Sequence, residues 1–157
     1  MTEPNTDRDA ELLNEIEHFL QAQRVLVLAT SHGNVPMAHA MHYVPKGLTV
    51  YLSSLPGTQK LTNIGANPTV GFAVWRLPSF EHRDTMRSLQ VRGEARLVTD
   101  PVEISEVHAG LNERYPWAPE LSLDFNATIA IEARELLWLD GSKGLDGRFI
   151  VELAADR

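Results

Sequence analysis

The chain has 157 residues, 43% hydrophobic and 22% charged, the make-up of one ordinary globular domain with enough length for a real core. It has no cysteine, which excludes disulfides, thiolate metal sites, cysteine nucleophiles and thiolate-held haem or iron–sulfur clusters. The formal net charge of -7 argues against nucleic acid as a partner, because attraction to phosphate needs a basic face.

The first nine residues are polar and acidic and lack a signal-peptide core; residues 1–10 are expected to be flexible. The longest apolar run, residues 25–29, is too short to cross a bilayer, so a soluble cytoplasmic protein with no membrane partner is expected. Thr6 or Asp7 can cap a helix running to about Gln23, with Leu12, Leu13, Ile16, Phe19 and Leu20 on one face. Residues 25–30 are nearly all apolar and read as a buried strand, closed by a turn at Ser31-His32-Gly33-Asn34. Residues 37–44 form a second strand with His39 and His42 on opposite faces, so they cannot share one metal ion while the strand is regular. Pro45-Lys46-Gly47 turns into a strand over residues 48–53.

Ser53 and Ser54 end that strand, and Thr58 caps a short helix that Asn67-Pro68 terminates. Hydroxyls at a strand end, followed by Gln59 and Lys60 in the first helical turn, make a phosphate cradle: free N–H groups, the positive end of the helix dipole and a point charge. Residues 69–75 are a further strand, 76–85 a polar loop, and 88–98 a long strand in which Gly93 marks a bulge or a close backbone approach. Asp100-Pro101-Val102-Glu103 opens a helix that should end near Tyr115-Pro116. Residues 127–133 are β-rich, and 136–140 with 149–153 read as a closing hairpin around residues 141–147. The fold class is therefore mainly β: six or seven antiparallel strands in a barrel or sandwich, with peripheral helices, in one domain over residues 1–157. No serine-nucleophile elbow, P-loop, dinucleotide fingerprint or metal-spaced histidine pair occurs.

The order of these elements resembles the FMN-binding split-barrel proteins of the pyridoxamine 5′-phosphate oxidase-like family. The matching segments are Tyr51-Leu52-Ser53-Ser54 with Gln59-Lys60, Ile64 with Asn67-Pro68-Thr69-Val70, Gln90-Val91-Arg92-Gly93-Glu94-Ala95, and Trp138 with Arg148-Phe149. The resemblance implies a six- to seven-stranded split β-barrel, FMN as cofactor and a homodimer with the cofactor at its interface. It implies that Lys60 binds the FMN phosphate with Gln59 beside it, and that Ser53 and Ser54 lie at the strand end contacting the flavin. Ser88 or Gln90 would face the ring edge, and Trp138 and Arg148 would complete the site from the second subunit. The oxidases carry an arginine on the strand matching residues 37–44, where this chain has no arginine or lysine. They also hold substrate with an arginine and a histidine where Gly144 and Asp146 stand here. The expectation is therefore a flavin-dependent oxidoreductase for an unknown small molecule, not a true pyridoxamine phosphate oxidase, with no catalytic residue assigned. The alternative is a non-enzymatic sensor or carrier of haem, flavin or deazaflavin on the same scaffold.

Overall fold

The computed structural model describes residues 6–154 of the chain. Helix α1 (Thr6–Ala22) is followed by strands β1 (Val25–His32), β2 (Val35–His42), β3 (Val44–Lys46) and β4 (Thr49–Ser54). Helix α2 (Gln59–Ala66) leads to β5 (Thr69–Arg76) and β6 (Arg87–Leu97). Helix α3 (Pro101–Arg114), β7 (Ala127–Asp140) and β8 (Arg148–Glu152) complete the chain. The flexible stretch expected at residues 1–10 lies partly outside the described residues, and residues 6–10 belong to α1. The caps expected at Thr6 or Asp7 fall outside the described side chains.

The eight strands form one antiparallel sheet in the order β2-β1-β5-β6-β7-β4-β3, with β8 also paired to β7. This is the expected mainly β split barrel with peripheral helices. It has eight strands where six or seven were read from the sequence, and two of the expected boundaries move. The strand expected over residues 37–44 breaks at Tyr43 into β2 and β3. The segments 127–133 and 136–140 are one strand, because β6 pairs with β7 along its whole length and a single extra residue, Arg134, is absorbed as a bulge. Opposite that bulge, Gly93 approaches the β7 backbone so closely that a Cβ there would lie 2.6 Å from the Glu132 carbonyl oxygen.

Alternation along the strands sorts side chains to two faces. Leu26, Leu28, Val50, Leu52, Val74, Leu89, Ile129, Ile131 and Trp138 point inward, and Ile16, Phe19 and Leu20 of α1 complete this core. Burying each such aliphatic side chain contributes about 1.5–3 kcal/mol, so the seal that α1 makes is a large part of the fold's stability. A second, smaller cluster lies on the other face of β4 and β7, where Tyr51 and Ala130 meet Val107 and Leu111 of α3 and the following Tyr115. Asp100 caps α3 as expected, its side chain accepting from Val102 N at 3.1 Å. No helix among the described residues is long and apolar enough to cross a membrane.

Candidate functional site

Of the two strand-end hydroxyls, Ser54 comes together with Lys60. Ser54, the last residue of β4, is buried; its Oγ lies 2.9 Å from Thr58 Oγ1 and accepts from Lys60 Nζ at 3.4 Å. Thr58 holds the expected N-cap position with extended backbone, but its side chain makes no cap bond. Its hydroxyl is engaged by Ser54 instead. A second set of bonds leaves the same helical turn. Gln59 Nε2 donates to Asn63 Oδ1 at 2.9 Å, Asn63 Nδ2 donates to Thr30 Oγ1 at 2.9 Å, and Thr30 Oγ1 lies 3.4 Å from His39 Nε2. Asn63 and Thr30 are each only 2% exposed, so this network is fixed by packing. Burial lowers the pKa of Lys60. His39 is lowered by its own burial first and by the Lys60 charge second.

Ser88 and Gln90 lie elsewhere, on the outer face of β6. Register places Trp75, Ser88, Leu139 and Arg148 in one row across β5 to β8, and Ala73, Gln90, Leu137 and Ile150 in the next. Strands β1, β5 and β6, with Leu139 of β7, floor an open apolar groove of about 630 Å³ that Trp75 and Leu77 also line, with Ser88 and Gln90 facing it. Neither side chain is hydrogen-bonded among the described residues, so both keep free donor and acceptor groups. A second groove of about 430 Å³ shares Ala29 and Gly71 with the first and reaches Thr30, Ser31 and Arg92. Thr30 borders this second groove, but its side chain is buried in phase with inward Leu26 and Leu28 and bonds to Asn63 on the other face of the sheet.

Three predicted site residues stand apart. Ser53 points toward the α3 side, where its Oγ accepts from Asn126 Nδ2 at 3.0 Å. Trp138 is 1% exposed and packs edge-on against Phe19 with ring centroids 4.9 Å apart, so within one protomer its indole faces no cleft and serves the core. Arg148 is exposed on β8 and has no ion pair among the described residues; Asp140 is taken instead by Arg87 at 2.8 Å and Lys143 at 3.2 Å. Thr30 and Asn63 were not singled out in the sequence. The four-residue spacing of Gln59 and Asn63 on one helix face was the available signal.

The sequence model of the family described as pyridoxamine 5′-phosphate oxidase matches residues 13–137. The chain belongs to the pyridoxamine 5′-phosphate oxidase family. Solved structures agree on the fold. A conserved hypothetical protein from Mycobacterium tuberculosis is 24% identical with a TM-score of 0.72, covering 100% of this chain and 93% of its own. A haem-binding protein from Mycobacterium smegmatis is 14% identical with a TM-score of 0.75, covering 89% of this chain and 57% of its own. An FAD-binding protein from Mesorhizobium loti is 20% identical with a TM-score of 0.64, covering 78% of this chain and 88% of its own. No curated protein matches the chain. The fold is thus shared with a haem-binding and an FAD-binding protein.

Proposed function

We propose that the protein binds FMN and acts as a flavin-dependent oxidoreductase on a small molecule. The observation that carries this reading is the gathering of Lys60 Nζ, Ser54 Oγ and Thr58 Oγ1 where β4 ends and α2 begins. A planar ring needs an apolar floor and a few edge donors, and an anionic tail needs a cation with hydroxyls. The residues fit both demands. Lys60, Ser54 and Thr58 would hold the phosphate, with Gln59 steadying the helical turn. Ser88 and Gln90 would meet the pyrimidine edge of the ring. FMN, when bound, supplies hydride or electron transfer; the chain's own residues bind, orient and exclude water.

The trough is open, and a second copy of the chain is the proposed cover, bringing Arg148 to the ring from the partner subunit. The absence of arginine and lysine from β2, with Gly144 and Asp146 in place of substrate-holding cations, directs the activity away from pyridoxamine phosphate. The deciding experiment is an absorbance spectrum of the purified protein, followed by titration of the apoprotein with FMN. A yellow protein whose released cofactor is FMN is expected. A colourless preparation that ignores FMN overturns the reading. A Soret band, as the likeness to haem-binding proteins makes worth checking, transfers it to haem, and preferential deazaflavin uptake transfers it to that cofactor.

A further inference from the structure

Residues 77–86 join β5 to β6 and lend Leu77 and Met86 to the lining of the outer trough; residues 141–147 join β7 to β8 and lead into Arg148. Both loops converge on Asp140, the last residue of β7, which is only 2% exposed. Its Oδ1 accepts from Ser142 N at 3.0 Å and from Ser142 Oγ at 2.6 Å, and lies 2.8 Å from Arg87 Nη1. Its Oδ2 lies 3.2 Å from Lys143 Nζ. Arg87 Nη2 donates to Ser142 Oγ at 3.3 Å, and Arg87 Nη1 also donates to the Thr85 carbonyl at 3.2 Å. The backbones interlock at the same point. Gly141 N donates to Met86 O at 2.9 Å, and a Cβ on Gly141 would lie 3.0 Å from the Asp84 carbonyl oxygen. Burial by itself would raise the pKa of Asp140, yet the donors from Ser142 and Lys143 and the Arg87 charge hold it below the usual carboxylate value.

We infer that Asp140 is a positioning residue for the outer trough: through Arg87 and Ser142 it locks the two loops together and so fixes the trough edge that carries Met86, Ser88 and Leu139. This rests on the reading of the trough as the ring site and deepens it. Arg87 stands between Met86 and Ser88, and Leu139 immediately precedes Asp140, so three trough-lining residues are covalent neighbours of the knot. Leu139 in turn pairs with Ser88 on one side and with Arg148 on the other. A buried ion pair adds little net stability, because desolvation offsets the attraction. What this one supplies is direction, since a guanidinium fork accepts few arrangements of its carboxylate and hydroxyl partners. Loosening either loop therefore loosens the other and disturbs the edge they share.

Amide hydrogen exchange of the full chain tests the coupling without any flavin. Arg87→Lys keeps the charge and loses the fork; it should speed exchange about tenfold across the knot, in residues 141–147, as well as on its own side. Ser142→Ala leaves the ion pair in place and should speed exchange in residues 83–86 by a smaller factor. In a fluorescence titration both variants should weaken FMN about three- to tenfold. Inorganic sulfate, the probe of the Lys60 cradle, should bind to both as it does to the wild type. Exchange that rises only on the side carrying the substitution overturns the coupling. Loops that loosen together while FMN affinity keeps its wild-type value overturn the positioning role. A wild-type protein that ignores FMN overturns the flavin reading and the positioning role with it, while the exchange result still decides whether the loops are coupled.

Discussion

The α2 cradle and the outer trough handle their polar groups in opposite ways. At the α2 end, Ser54, Thr58, Gln59, Asn63 and Thr30 are engaged with one another, and Lys60 bonds to Ser54. On the outer face of β5 and β6, Ser88 and Gln90 line an apolar floor without fixed side-chain partners among the described residues. The contrast teaches a division of labour. A preorganised polar set binds one group well because little ordering remains to be done. A flat apolar floor with free donors accepts a ring with looser geometric demands. Recognition of an anionic tail should therefore be stricter than recognition of the ring.

Each region can be perturbed without the other. Trp138→Ala should have the largest effect, a loss of about 3–5 kcal/mol of stability by chemical denaturation, since it empties a sealed core position behind the trough. Trp138→Phe should recover most of that loss and leave FMN affinity unchanged; a fall in affinity would show that the indole reaches the ring, as the proposed dimer would allow. Gly93→Ala should cost about 1–3 kcal/mol, because its Cβ would meet the Glu132 carbonyl at 2.6 Å and backbone must move. Lys60→Ala should weaken FMN by about 1–3 kcal/mol in a fluorescence titration with little change in melting temperature, the signature of a charge-assisted contact. Gln90→Ala should cost about 0.5–1.5 kcal/mol of FMN affinity and shift the flavin absorption bands, while sulfate binding stays as in the wild type.

The smallest expected effect is on stability against pH. The folded pKa of His39 lies below its ordinary value of 6.5, first through burial and then through Lys60. Below pH 6.5 the unfolded chain therefore takes up this proton before the folded one does. Stability from this group is full above that value and declines as pH falls toward the folded pKa. Melting curves of His39→Gln should lack that part of the decline.

Much of the fold was legible because local signals agreed. Asp100 with Pro101 announced α3, and the alternation over residues 88–98 announced β6 with its close approach at Gly93. What escaped depends on partners. Nothing local to residues 134–136 says that β6 carries one strand across a bulge, and nothing local says that Ser54 draws the Thr58 hydroxyl away from the helix. The alternation around Trp138 is compatible with either face until Phe19 arrives from α1 to seal it. The site divides in the same way. Ser54 and Lys60 are six positions apart and could be read together, whereas Thr30 and Asn63 are separated by 33 positions and meet only in the folded sheet.

The extra residue in β7 has a consequence for how such a protein changes over time. On one edge, β7 bonds to β4 through residues 127–131 and to β8 through residues 135–139, with Arg134 between the two stretches. A shift of pairing in the second stretch can be taken up at this joint before it reaches the first. The half proposed to hold the anion and the half proposed to face the ring are thus joined through a single irregular step, across which a change in one need not disturb the pairing of the other.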